Sequence, residues 1–434
     1  MPETDTGRLE DRIDLSAETD ALITETSGMA SSPANLPNIL NLLYALEKKC
    51  RVGNDTPSLV KICEHSVKLA RQLGDNLAIA IECLTTLSTR RSQKSKAIEI
   101  LVQTAMPWTD AETGDDKLKL IETLRNITDG KIYLEAERAR LTRMLATIKE
   151  EAGLIGEAAD VLQEVHVETY GALSKREKVE FLLEQIRLTL LNEDFVRAAI
   201  VSNKINQKAL SEEGMEEHRI RFFTLMTKYH QHEKDAYNLA MDYHSIYKTK
   251  NDLEALKATV LFLALSPYEM KQQDMLHRIE TDTNLDKIEA SKSIIKLLLK
   301  HEIINYPTPH QGELESLEAF SKSDLAAHWH DVFHARIIQH NIRVAAKYYT
   351  RIHGKRLAEL LCLDPARLEK EVSSMVSDGS VYAKIDRPND IIRFAATKSP
   401  ESVLTEWGND LSELLSLVDS TTHLIHKEIM THST

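Results

Sequence analysis

The sequence is poor in residues that interrupt helices, and it lacks the motifs of most catalytic sites. Its 434 residues include only 14 glycines and 11 prolines, so a largely helical chain is expected. The four cysteines, Cys50, Cys63, Cys83 and Cys362, show no Cys-x-x-Cys spacing. Reduced, buried thiols in a cytosolic or nuclear protein are the simplest expectation. The longest apolar run, ATVLFLALS at 258–266, is far too short to span a bilayer. No basic stretch followed by an apolar one opens the chain, so no secretory signal is expected. Gly354-Lys355 lacks the upstream glycine of a phosphate loop, and there is no GxSxG or Gly-rich dinucleotide turn, so no cofactor is expected. A formal net charge of −13 argues against bulk affinity for nucleic acid or anionic lipid.

What is present is helix after helix. Apolar residues make up 42% and charged residues 28%, as in an ordinary soluble globular protein. Residues 1–36 hold eight acids and two bases in a Ser/Thr-rich stretch with little apolar periodicity. It reads as an acidic, disordered head. Beyond it, Leu141, Leu145 and Ile148 share one helical stripe, and Val179, Leu182, Ile186 and Leu190 share another. Short alanine-led helices follow at Ala158-Ala159, Ala198-Ala199 and Ala236, close to 40 residues apart. Long helix, polar turn, short helix with small residues at the crossing: the repeat describes stacked helical hairpins over 37–305.

The Pro- and Gly-bearing stretch YPTPHQGELESLEAFSKSD (306–324) marks a boundary, so 306–335 reads as a variable linker and helix. In 336–397 a helix is expected to run to about Ile352, with a second over Lys355–Leu363. A third would be capped by Asp364 with Pro365 at its first position. SVYAKID and DIIRFA flank the turn Arg387-Pro388-Asn389, and helices followed by a hairpin make a winged helix. From 401 to 430 the pattern returns to helix. Leu404, Trp407, Leu411, Leu414, Val418, Thr421 and Ile425 recur at steps of three and four, an a/d seam of about three heptads. That seam either folds back on the winged helix or meets other chains, and its regularity favours the second.

A winged helix suggests DNA, but its reading helix, 365–378, carries Arg367 and Lys370 against Glu369, Glu371 and Asp378. Phosphate contacts dominate DNA affinity, so an acidic reading helix is a handicap. Against this, 338–397 has ten bases and seven acids. Arg343, Lys347 and Arg351 recur at helical spacing, either as a solvated face beside buried Ile342, Ala346, Tyr349 and Ile352 or as a docking stripe for an acidic partner. His330 and His334 sit at the spacing of an HExxH zinc helix, with Asp331 in place of the glutamate and no third ligand at a useful spacing. No metal is expected.

KIYLEAERARLTRMLATIKE, VETYGALSKREKVEFLLEQIRL, HNIRVAAKYYTRI and TTHLIHKE closely resemble the family of the twelfth non-ATPase regulatory subunit of the 26S proteasome. The likeness runs from about residue 40 to 430. It implies a mostly α fold: a right-handed, TPR-like solenoid, a winged-helix PCI module, and a long C-terminal helix that joins a bundle of lid subunits. It further implies a non-catalytic scaffold of the regulatory-particle lid, located in cytoplasm and nucleus and serving ubiquitin-dependent degradation. Implied partners are the other PCI subunits and the metalloprotease-type subunits of the lid, with the ATPase base and core particle nearby. The alternatives are a subunit of a related PCI complex (the signalosome or a translation initiation factor) or a winged-helix nucleic-acid-binding factor.

Overall fold

The computed structural model describes residues 14–29, 36–73, 77–167, 171, 173–212, 214–309, 312, 325–394 and 400–432. The chain divides into two compact units between Glu233 and Lys234.

The first unit is built of helices alone among its described residues: α1 (Ser16–Met29), α2 (Leu36–Val52), α3 (Thr56–Leu73), α4 (Leu77–Thr89), α5 (Ser95–Ala105), α6 (Trp108–Ala111), α7 (Asp115–Thr128), α8 (Glu135–Glu151), α9 (Ile155–Gln163), α10 (Lys175–Leu191), α11 (Phe195–Lys204), α12 (Gln207–Leu210) and α13 (Glu216–Glu233). One core runs from Leu36 to Val161 and a second from Ala139 to Met226. The expected hairpins are present: α8 pairs with α9, and α10 with both α9 and α11. Ala158, Ala159 and Ala198 are buried, as backbones crossing closely require. The turns are built alike. Leu154 N–H donates to the Lys149 carbonyl at 2.9 Å, and Asp194 N–H to that of Thr189 at 3.0 Å, the six-to-one bond of a Schellman turn. Gly153 takes the left-handed position in the first turn and Glu193 in the second, at φ 81° and 59°.

The head departs from expectation. Residues 16–29 form α1, which packs on α3 with Leu15 and Leu22 against the core; the rest of 1–35 lies outside the described residues apart from 14 and 15. Apolar periodicity missed this helix because threonines line its buried face. Thr19 and Thr26 are buried, and their hydroxyls donate to the carbonyls of Ser16 and Leu22, each at 2.7 Å. A threonine satisfied by its own helix can be buried without an apolar signature.

The second unit contains α14 (Ala236–Lys250), α15 (Leu253–Leu265), α16 (Met270–Glu280), α17 (Glu289–Leu299), α18 (Ala326–Tyr348), β1 (Arg351–His353), α19 (Gly354–Leu361), α20 (Pro365–Ser377), β2 (Lys384–Asp386), β3 (Ile391–Arg393) and α21 (Pro400–His432). The run at 258–266 is explained by α15, whose residues Thr259–Leu265 are all buried among α14, α16, α17 and α18. A helix apolar on every side belongs at a centre. Ala236 and Ala240 are buried in the same core.

α18 joins two cores. Trp329, Phe333 and Ile337 belong to the helical core, while Ile338, Ile342 and Ala345 belong to the winged-helix core. The boundary expected at 335/336 therefore falls inside one helix. That helix stops at Tyr348, short of Ile352, because 351–353 form a strand. The sheet has order β1-β3-β2, all antiparallel, with Ile352 and Ile385 both paired to Ile392. Thr350 and Ile352 favour strand, yet only the distant β3 supplies the hydrogen bonds. Tyr349, expected in the buried stripe, is exposed for the same reason. Asp364 sits at the N-cap of α20 with Pro365 following, but its side chain makes no capping bond. Cys362 is exposed, unlike the other three cysteines.

Candidate interaction surfaces

The helix α21 is 33 residues long, about 50 Å at the usual rise. Leu404, Trp407, Leu411, Leu414, Val418 and Ile425 are all exposed, from 44% at Leu411 to 62% at Trp407. No described part of the chain covers them. Leu415 and Ile429 are also exposed. They lie four residues after Leu411 and Ile425 and so widen the same stripe. Leu417 and Leu424, exposed and seven residues apart, run along a different line of the helix. Reading for an a/d seam missed these four; counting every apolar position on the wheel would have found them. Apolar side chains on more than one line suit a helix enclosed by several neighbours.

The winged helix presents a mixed surface. In the reading position, the Glu369 carboxylate of α20 accepts from Arg387 Nε at 2.7 Å. The guanidinium of Arg367 meets His334 Nδ1 at 3.2 Å. One acid and one base of this helix are thus engaged within the module. The Asp390 backbone, at φ 49°, brings its carboxylate to the start of α19. There it accepts from Lys355 N–H at 3.1 Å, and the Asp390 carbonyl accepts from Gly354 N–H at 2.9 Å. A Cβ on Gly354 would lie 2.5 Å from Asp390 Oδ1, so a larger residue at this junction must displace that carboxylate.

The basic stripe does not form as a set of three: Arg343 and Lys347 border one cavity, and Arg351 does not. Arg351 stands in β1, off the helix, paired in register with Arg393. Arg343 turns inward, its guanidinium carbon 4.1 Å from the centroid of the Tyr268 ring. Lys347 alone of the three stays on an exposed helical face. Of the His330/His334 pair, His334 packs its ring 4.5 Å from that of Tyr306. Burial and then Arg367 lower its pKa. Among the described residues no cluster of three His, Cys, Asp or Glu has metal-site geometry.

An unforeseen feature links the hairpins of the first unit. Arg140–Glu177, Arg143–Glu180, Glu150–Arg187 and Glu184–Arg221 each join residues 37 apart, at 2.5–2.9 Å. Arg187 grips both oxygens of Glu150 at 2.6 Å and also reaches Glu184 at 2.7 Å. Hydrogen bonds from Arg187 hold Glu150 below the usual carboxylate range. At Glu184 burial pushes the other way, but Arg187 and Arg221 outweigh it and the pKa is lowered. Complementary charges at a fixed 37-residue offset were the signal available in the sequence.

An array of helical hairpins, a winged helix on a helix shared by two cores, and an uncovered amphipathic tail define a helical-repeat protein with a PCI module. Three family profiles match: PSMD12/CSN4, N-terminal, at residues 38–254; PCI domain at 314–395; and the 26S proteasome regulatory subunit RPN5 C-terminal domain at 401–433. The chain is 40% identical over 430 residues to the 26S proteasome non-ATPase regulatory subunit 12 of Dictyostelium discoideum, covering 96% of this chain and 95% of that protein. It is 36% identical over 409 residues to the 26S proteasome regulatory subunit RPN5 of Saccharomyces cerevisiae, covering 91% of each. The COP9 signalosome complex subunit 4 of Drosophila melanogaster is more distant, at 23% over 317 residues, 70% of this chain and 75% of that protein. The chain belongs to the family of 26S proteasome non-ATPase regulatory subunit 12.

Proposed function

We propose that the chain acts as a non-catalytic scaffold in the lid of the proteasome regulatory particle. In this reading α21 enters a bundle with helices of other lid subunits. The short sheet offers its outer strands to related winged helices, and the hairpin array carries neighbours along its length. The subunit then serves ubiquitin-dependent degradation by placement, holding deubiquitinating metalloprotease-type subunits near the ATPase base and core particle. Its residence would be that of the particle, in cytoplasm and nucleus.

The observation that carries this is the exposed apolar surface of α21. Fully burying one large apolar side chain contributes about 1.5–3 kcal/mol, and here a whole row is left in water. Leu411→Glu with Leu414→Glu removes two of them without touching either core. The isolated variant is expected to keep the parent's melting curve and to be missing from reconstituted lid on native gels. Normal incorporation of the double variant would defeat the bundle reading.

A further inference from the structure

A cavity of about 350 Å³ lies in the second unit, walled by the loop after α15, the end of α17, the C-terminal half of α18, and residues just before β2 and after β3. Two cations enter it from α18, Arg343 and, one turn later, Lys347. Arg343 is largely enclosed over Tyr268, and burial brings its pKa down to about 10. Gln273 of α16, His301, His340 and Ser380 add polar groups to the wall, and Tyr382 and Phe394 add aromatic rings. His340 is pushed down to about 4, by burial first and then by Arg343, so it is neutral at pH 7. Its Nε2 lies 3.2 Å from the Glu302 carbonyl.

No carboxylate lines this cavity, and among the described residues none pairs with Arg343 or Lys347. The contrast within the same chain is clear, since Arg187 is met by Glu150 and Glu184 and Arg90 by Glu47. An enclosed cation without a counter-ion is costly, and an anion arriving from outside relieves that cost. Two cations facing one space are balanced by a dianion better than by a lone carboxylate. The guanidinium fork and the ammonium both suit phosphate oxygens. The volume falls within the range of small-molecule sites.

We propose that this cavity binds a compact phosphate-bearing small molecule, with Arg343 and Lys347 holding the phosphate and Tyr268 and Tyr382 flanking the remainder. The proposal is independent of the lid reading, because both cations and the aromatic walls come from one unit of this chain.

Calorimetric titration of the purified full-length chain tests it, with pyrophosphate as the probe and citrate as the carboxylate comparison. Pyrophosphate is expected to bind with a Kd below about 1 mM, more tightly than citrate and more weakly as salt is raised. Lys347→Gln, an exposed change, leaves the melting curve alone and weakens binding at least about threefold, and Arg343→Gln at least about tenfold. Arg393→Gln, outside the cavity, leaves binding as it is. Should Arg343→Gln fail to fold, Lys347→Gln decides. The proposal is overturned if pyrophosphate gives no saturable heat up to about 10 mM. It is also overturned if Lys347→Gln binds like the parent, or if citrate binds more tightly than pyrophosphate.

Discussion

Single residues set the geometry of the winged helix. Gly354 is the clearest case, because Asp390 occupies the space a Cβ would take and at the same time caps α19 through Lys355 N–H. Gly354→Ala must displace that carboxylate or bend the helix start. A loss of about 1–2 kcal/mol is expected, read as a lower midpoint of the second unit's transition in chemical denaturation. Asp390→Asn, which keeps an acceptor and tolerates the left-handed backbone, should lose less. The sequence shows a glycine at a helix junction and nothing more. The reason for it is an aspartate 36 positions later, in contact only when the hairpin closes.

Elements are where the charge pattern acts. The ladder at a 37-residue offset fixes how α8, α10 and α13 lie along one another, with Arg187 at its centre. Arg187→Met leaves Glu150 without its bidentate partner and Glu184 with one guanidinium. At pH 7 this is expected to cost about 1–3 kcal/mol in urea denaturation. The pH dependence has a definite sign. Glu150 and Glu184 are held below their ordinary value of 4.5 in the folded state. Their contribution is complete above about that pH and is lost as pH falls through the lower folded values. The gap between parent and Arg187→Met should therefore narrow from pH 7 to pH 3.5. A gap that stays constant or widens would show that packing of the arginine stem, not its charge, is what matters. Elements also show where period alone succeeds and fails. The stripes of Leu141 and Val179 gave the long helices, and the alanines at 158 and 198 gave their partners. The strand β1 stayed hidden, because three residues carry no period and its hydrogen bonds come from Ile391–Arg393.

At the scale of the molecule, two ends of the chain behave in opposite ways. The N-terminal stretch looked solvated and is in part packed: α1 lies on α3, with Lys61 and Asp20 paired at 3.0 Å and Thr26 bonded to His65 at 3.1 Å. Deleting residues 1–29 is expected to destabilise the first unit by about 1–3 kcal/mol, seen as a lower melting temperature for its transition. An unchanged temperature would show that α1 contributes nothing there. The C-terminal helix looked like an interface and is covered by none of the described residues, with hydrophobic side chains on more than one line. Exposed apolar rows of this kind mark interaction surfaces.

The sequence by itself determined the long amphipathic helices beyond residue 37, where their hairpins turn and which tail residues are apolar, because those features repeat within a few residues or one turn. It also carried, in whole blocks of residues, the membership of the proteasomal subunit family. The tertiary structure alone decided the third strand, the burial of a threonine-lined helix, the 37-residue ion-pair ladder and the turning of Arg343 away from Arg351. Each depends on groups brought together from distant parts of the chain, where hydrogen-bond partners, counter-charges and excluded volume become definite only after the backbone has closed.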